Sequence, residues 1–569
     1  MHYEEVSREE NKRSSIGRID ELITFNRYVL FLCFTYELII ISQVGNLASM
    51  IFICASPDII GCSETIFANN ITRQEACNLY EGILLSGNND SCKAMINYQF
   101  KSVNVEWALF CDKEHGVKNT ISYQMLGVMI GALIFGQLSD LFGRKPVGLC
   151  CVVGTIVTGS MSAFAHNLFA FTLLRFIVGI FVGGNSTVMY VYVIENVPTN
   201  ARFAVKTLVT WSPNFVILSL IAYLSGEWRS LSLAMNLLAS PALICFLFLY
   251  ESPYWLLDKG RTNEAQNVLK KTSMWGITAK QYENSEELLE ACIQQEQQRR
   301  NAKLKRYYFY HLFYSWKLFR YNLIISFSCF SMGAISYGLM FNLEKISGSL
   351  YINAAMLGLF RYALNMLIAV ADHFFKCIGR KVIHTFALLG IIIGMTFILF
   401  VNYFDIMFEY KLQVRAFTLL AVGMTATVFL VNGITNAELF PTAIRNIASA
   451  HALTWGRIGG IVAPQIFYLQ TNLWQSRFLQ LSILALGILQ SAFCPHPDTL
   501  LASTLHSSMP YAIIISMALL DVLLFDAFLP ETKHGALSSE MPRGSIPSNC
   551  CSLSRKRIAN DGNSAVNNR

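Results

Sequence analysis

Apolar runs of roughly 20 residues recur along the chain, each long enough to cross the ~30 Å hydrocarbon layer of a bilayer as a helix. They predict spans at about 28–53, 119–137, 146–165, 168–192, 204–224 and 231–250. A second six follow at about 321–342, 351–371, 382–401, 415–435, 448–469 and 510–529. One more apolar run, at 478–494, is nearly long enough to span but falls between the last two. A crossing there would carry the C-terminus, with Arg555, Lys556 and Arg557, to the outside. It is therefore read as a re-entrant or surface-lying segment, or as an error in the gene model.

The polar stretches supply the topology. Residues 1–27, with Lys12, Arg13, Arg18 and Arg27, read as a cytoplasmic tail, and 28–250 as an N-terminal six-helix bundle. Within that bundle, 54–118 is a long polar segment holding Cys62, Cys77, Cys92 and Cys111 and the sequons at Asn70 and Asn89. An extracellular loop with disulfides and glycans accounts for both features, and four cysteines leave three pairings open. Residues 251–320, rich in Lys, Arg, Glu and Gln, form a cytoplasmic linker of short amphipathic helices. A C-terminal six-helix bundle occupies 321–529, with an atypical insert at about 471–508, and 530–569 is a second cytoplasmic tail.

Composition agrees. Of 569 residues, 53% are hydrophobic and 14% charged, against about 25% charged in an ordinary soluble protein. The net charge of +7 sits mostly in loops, so it argues for membrane topology rather than nucleic-acid binding. There is no Gly-x-x-x-x-Gly-Lys-Ser/Thr phosphate loop, no His-Glu-x-x-His zinc pattern and no assignable Ser-His-Asp set. Neither enzyme chemistry nor a cofactor or metal is expected.

The loop Gly136-Gln-Leu-Ser-Asp-Leu-Phe-Gly-Arg-Lys145 joins spans 2 and 3. Gly136 would let a helix end pack closely, Asp140 would cap or pair, Gly143 would permit a tight turn, and Arg144 and Lys145 would hold the loop inside. Asp372, Gly379, Arg380 and Lys381 echo it in the second half, at a longer Asp-to-Gly spacing. The loop resembles that between spans 2 and 3 of the major facilitator superfamily. Glu106-Trp-Ala-Leu-Phe-Cys-Asp, Glu251-Ser-Pro-Tyr-Trp-Leu, Ala437-Glu-Leu-Phe-Pro-Thr-Ala-Ile-Arg-Asn and Leu529-Pro-Glu-Thr together resemble the organic ion transporter family, solute carrier family 22, with Tyr254 where the family has Arg.

The resemblance implies an all-α membrane protein of the major facilitator fold, with two six-helix bundles (12 transmembrane helices) around a central cavity. It implies a transporter of small organic ions by alternating access in the plasma membrane, secondary active or facilitative, functional as a monomer with both termini cytoplasmic. Inner-face charges would hold one state of such a carrier. Asp140, Arg144, Glu195 and Arg202 are the candidates in the first half, and Asp372, Arg380, Glu438 and Arg445 in the second.

Charges inside spans are costly and mark candidate sites. Arg457, Arg361 and Glu37 stand out, with Arg175 read as structural. Arg457 matches a family position that is Asp in many organic cation carriers and Arg in organic anion and carnitine carriers, so organic anions or zwitterions are favoured as substrates. Tyr190, Tyr337 and Phe341 are candidates for an aromatic wall. The alternatives are an organic cation transporter and a non-transporting receptor of the same fold. For topology, enzymatic deglycosylation should lower the apparent mass of the wild type. An Asn70→Gln/Asn89→Gln double variant that migrates like untreated wild type would remove the main support for an outer 54–118 loop.

Overall fold

A computed structural model describes residues 25–62, 65–67, 71, 73–85, 93–275, 309–374, 379–404, 406–441, 444–466 and 499–533. Among these, eleven helices are long and apolar enough to cross a membrane. Spans 1 to 6 are Arg27–Ile53, Cys111–Phe142, Arg144–Ser162, Leu168–Asn196, Ala204–Ser225 and Trp228–Phe248. Spans 7 to 10 are Trp316–Phe341, Leu350–Ala371, Arg380–Tyr403 and Lys411–Leu439, and span 12 is Ser508–Phe528. Span 11 is the helix Arg445–Ile466, less apolar because it carries Arg457, His451 and three glycines. The apolar segment 478–494 lies outside the described residues.

Local chemistry starts and stops these helices. The Asn26 side chain caps span 1 by accepting from Val29 N at 3.1 Å, and Asn167 caps span 4 by accepting from Ala170 N at 2.8 Å. Gly143, at φ +112°, makes the whole connection between spans 2 and 3, a backbone conformation that only glycine adopts cheaply.

Glycines also set the closest packing. In hydrocarbon there is little hydrophobic drive between helices, so close backbone approach supplies the attraction. Between spans 2 and 4, a Cβ on Gly131 would lie 1.8 Å from Ile180 O, and one on Gly183 would lie 2.1 Å from Val128 O. Between spans 7 and 11, Gly333 and Gly459 meet the carbonyls of Gly456 and Phe330 in the same way, at 2.1 and 2.2 Å. The close-packing role expected of Gly136 is not found. A Cβ there would sit 3.8 Å from Thr187, an ordinary contact, and the crossing is made five residues earlier. Outward-facing Phe169, Leu237, Leu247 and Ile393 are exposed, as on a surface solvated by lipid.

The 54–118 segment, expected to lie outside, folds onto the first half. Strands β1 (Asp58–Cys62), β2 (Thr65–Ile66) and β3 (Ala94–Asn97) form an antiparallel sheet in the order β2-β1-β3. Cys77 pairs with Cys111, and Cys62 is disulfide-bonded as well. Cys92, Asn70 and Asn89 lie outside the described residues. Glu106 accepts from Trp228 Nε1 at 2.7 Å and from Arg229 Nη2 at 2.6 Å, which pins the loop to the first turn of span 6. On the other face, Thr262–Ser273 buries Ala265 and Leu269, the amphipathic linker helix expected there.

Gly131→Val should therefore collide with backbone rather than a movable side chain. Its cost should exceed the ~1–3 kcal/mol of ordinary overpacking, and surface biotinylation should show it largely lost. Gly136→Ala should reach the surface like wild type, and equal surface levels for both variants would contradict the packing described.

Candidate substrate pathway and gates

Charged groups inside the spans fall into two kinds. Arg175, 1% exposed, is held on two sides: Nη2 donates to Ser232 Oγ at 2.9 Å, Nη1 to Asn46 O at 3.3 Å, and the guanidinium lies 5.2 Å from the Phe171 ring centroid, although its Nε is buried without a partner. These contacts tie it into the packing of spans 1, 4 and 6. Arg361 and Arg457, both near mid-span, are different. Neither has an ion pair among the described residues, and the Arg361 Nε is buried without a hydrogen-bond partner. Arg457 Nη1 donates to Tyr337 Oη at 3.2 Å, and Arg361 lies close enough to the same phenol to act on it electrostatically. Tyr337 is thus hydrogen-bonded to a cation of span 11 and within electrostatic reach of one on span 8.

The carboxylate that might have neutralised them does not. Glu37 accepts from Asn214 Nδ2 at 2.6 Å. Span 5 is broken here: Thr199–Leu208 ends, Val209 and Thr210 are extended, and Trp211–Ser225 resumes. Glu37 therefore faces the first turn of a half-helix, whose amide dipoles favour negative charge. Trp211 Nε1 donates to Gln43 Oε1 at 3.2 Å beside it, tying span 1 to the break.

Of the aromatic candidates, Tyr337 is partly open, but Phe341 is 3% exposed and stacks behind it at 5.9 Å. Phe341 supports the wall and does not line it. Tyr190, 39% exposed, lies under a cation the sequence reading missed: Lys206 Nζ is 5.9 Å from its ring centroid. Lys206 has no ion pair among the described residues. It reaches across to span 10, where a Cβ on Gly433 would lie 3.5 Å from its Nζ. The Thr-Trp-Ser-Pro run at 210–213 was the available signal for the break, since Pro suits a helix's first turn.

At the end expected to face inward, the motif residues assemble within each half. Arg144 pairs with Asp140 and with Glu195 at 3.2 Å, and Arg380 pairs with Glu438 at 3.3 Å. Arg202 donates to its neighbour's backbone, Val197 O, at 3.1 Å, while Nε and Nη2 of Arg445 are buried without hydrogen bonds. The Asp372 side chain lies outside the described residues. Two further carboxylates complete the pattern. Glu251 accepts from Arg144 N at 3.0 Å and Lys145 N at 3.1 Å, capping span 3. Glu531 accepts from Arg380 N at 2.9 Å and Lys381 N at 3.1 Å, capping span 9. Both fill space that a Cβ on the preceding glycine, Gly143 or Gly379, would take.

The hydrogen bonds that join the two halves cluster at the outer end instead. Lys118 and Glu344 form a buried ion pair at 2.5 Å, and Glu344 also accepts from Ser56 N at 2.9 Å. Gln465 Nε2 donates to Asn119 Oδ1 at 2.8 Å, and Ser122 Oγ to Ile461 O at 2.9 Å.

A family model described as "Sugar (and other) transporter" matches residues 72–536. The chain belongs to that family, within the major facilitator superfamily. It is similar to the organic cation transporter protein of Drosophila melanogaster, 27% identical over 83% of this chain and 88% of that one. It is also similar to solute carrier family 22 member 16 of Xenopus laevis, 26% identical over 66% of this chain and 64% of that one, so it spans just under two thirds of that relative. Among solved structures, the inward-open xylose transporter XylE from E. coli matches 91% of this chain and 97% of that one, at TM-score 0.55 and 17% identity, which shows the fold. The protein is a multi-pass membrane transporter and not an enzyme.

For this transporter, the two halves are clamped together at the end that carries the 54–118 segment, and the motif charges at the opposite end pair within each half. The clamp is not a physiological pH switch. Burial pushes the Glu344 carboxyl up, but the charges of Lys118 and Arg73 and the hydrogen bonds from Lys118 and Ser56 outweigh it and hold the carboxyl below its usual range. A depressed carboxylate contributes fully above its ordinary pKa of ~4.3 and is lost only as pH falls through the lower folded value. Glu344→Gln should therefore open the outer seam. An Asn119→Cys reporter should label with an impermeant thiol reagent several-fold more in that background, at a ratio constant over about pH 5.5–8. A ratio of one, or one that changes across that window, would show that Lys118–Glu344 is not the clamp.

Proposed function

We propose that this transporter moves small organic ions across the plasma membrane by alternating access, and that it favours organic anions or zwitterions. The observation that carries the reading is the pair Arg361 and Arg457, one within electrostatic reach of Tyr337 and the other hydrogen-bonded to it, without a carboxylate partner among the described residues. Placing a basic side chain at mid-span costs about 2.5–3.5 kcal/mol, a cost that an anionic substrate offsets on binding. A guanidinium grips a carboxylate with two parallel hydrogen bonds, and the Tyr337 hydroxyl holds Arg457 toward that geometry. Lys206, beside Tyr190 and span 10, supplies a third cation nearer the inner end. A carboxylate passing from the mid-span arginines toward Lys206 would move down a path of like-signed attraction.

A second reading, organic cations, draws on Glu37 and on the printed name of the Drosophila relative. Glu37 is already engaged by Asn214 and the half-helix terminus, and it stands against three cations, so the anion reading is the stronger.

Uptake of a panel of labelled organic anions, zwitterions and cations into expressing cells, with surface biotinylation, separates the two. Arg457→Asp should weaken anion affinity by about tenfold to a hundredfold, the equivalent of ~1–3 kcal/mol after desolvation. Arg457→Lys should keep part of the attraction and lose the two-pronged grip. If Arg457→Asp reaches the surface and takes up the same anions with unchanged affinity, the anion preference has no residue-level basis. Uptake confined to cations would establish the second reading.

A further inference from the structure

Away from the substrate pathway, spans 7, 9, 10 and 12 meet at a polar cluster that the transport reading leaves unused. Ser328, His384 and Asp521 each have 0% of their surface exposed, and Asn432 has 2%. Ser328 Oγ donates to Asp521 Oδ2 at 2.9 Å and accepts from Asn432 Nδ2 at 2.8 Å. His384 Nε2 lies 3.3 Å from the same hydroxyl and 3.8 Å from Asp521 Oδ1. A hydroxyl donates once and accepts twice, so the network is complete at Ser328 when His384 carries its proton on Nε2. Three buried atoms are left over, His384 Nδ1, Asp521 Oδ1 and Asn432 Oδ1, none with a hydrogen-bond partner; of these, the imidazole nitrogen and the carboxylate oxygen are the ones that can take up a proton.

Proton bookkeeping follows from that inventory. With Asp521 ionised and His384 neutral, the cluster holds one buried negative charge on a carboxylate with an oxygen that receives no donor. One added proton, on Oδ1 or on Nδ1, makes it neutral as a whole, so the pair titrates as a unit that takes one proton. The surrounding charged groups do not cancel this charge. Lys381 of span 9 is engaged with Asp526 O at 2.8 Å, and Asp526 on span 12 accepts from Thr385 Oγ1 at 2.8 Å. On span 7, Arg320 lies over the Phe528 ring at 5.8 Å, and the buried Cys329 thiol is the neighbour that feels Asp521 electrostatically. On span 10, Glu438 is paired with Arg380. His384 itself stacks on Phe525 at 3.6 Å, which fixes its ring.

We propose that His384 and Asp521, held by Ser328 and Asn432, form a binding site for a single proton inside the C-terminal half. The site lies toward the cytoplasmic side: His384 is four residues into span 9, and Asp521 is seven from the end of span 12, roughly 6 and 10 Å along their helices. Its deprotonated form is costly in hydrocarbon, so proton release goes with admission of water between spans 9 and 12. Any link from this exchange to the carrier cycle rests on the transport reading, whereas the proton site itself does not.

The test is therefore made without a substrate. Purified full-length protein in lipid nanodiscs should show, by infrared difference spectroscopy across a pH titration, a protonated-carboxyl band that Asp521→Asn lacks. His384→Gln should keep the band and move its midpoint by about one pH unit, a tenfold change in proton affinity. If Asp521→Asn does not fold, wild-type protein carrying 13C-labelled aspartate takes its place: the band must shift on labelling, and its midpoint must still move in His384→Gln. A spectrum in which no aspartate band titrates, or one whose midpoint ignores His384, overturns the proposal. Loss of all uptake in the wild type would count against the transport reading and leave the proton site standing.

Discussion

An unpaired charge in hydrocarbon is expensive, and the rest of the structure is arranged around that cost. Arg175 offsets part of it with Ser232, Asn46 and Phe171 and so becomes part of the packing, with its Nε left unpartnered. Lys118 and Glu344 meet it with each other, and in doing so tie span 2 to the loop after span 7. Arg361, Arg457 and Lys206 have no ion-pair partner among the described residues, and Arg457 and Lys206 lean on the Tyr337 hydroxyl and the Tyr190 ring instead.

The two halves solve their inner-face problem by one device used twice. In each, a glycine opens room for a carboxylate from the far end of the bundle, and that carboxylate caps the next helix through two backbone amides. The two versions are tuned apart by exposure. Burial dominates at Glu251 and pushes its carboxyl above the usual range, against the backbone hydrogen bonds from Ser252, Lys145 and Arg144. Burial also raises Glu531, but that residue is exposed, and the amides of Lys533, Arg380, Lys381 and Thr532 prevail and hold it below. Each cap belongs wholly to its own half, so the halves can move as units while their helix ends stay satisfied.

Much of this was legible in the chain. Runs of about 20 apolar residues give the spans because length and hydropathy are local properties. Arg361, Arg457 and Tyr337 can be singled out because charges and aromatics in such runs stand out. What was missed depends on distance. Glu251 and Glu531 stood in recognised motifs, but their partners lie more than a hundred residues away. Lys206 was passed over because it sits on a short half-helix before a break. Asp521 was open to the same rule that singled out Glu37. Its meaning depends on His384, Ser328 and Asn432, each on a different span, and only the fold brings them together. Gly136 shows the reverse error, since a glycine in a family motif was given the packing role that Gly131 performs.

The outer loop has a consequence of its own. Gln99 accepts from Leu350 N at 2.8 Å, donates to Gly348 O at 3.2 Å, and through its carbonyl accepts from Tyr351 Oη at 2.8 Å, while Tyr351 packs on Phe52, Phe100 and Tyr223. A segment anchored in the first half thus reaches over and grips the second. A free loop of this length would have to be ordered each time the seam closed, at a cost of about 1–2 kcal/mol for every residue immobilised. The Cys77–Cys111 bond and the β1–β3 sheet meet that entropy cost in advance, when the loop folds. The crosslinked segment is therefore preorganised for this grip, and whatever forms the Cys77–Cys111 bond also sets how cheaply the two halves are held together at that end.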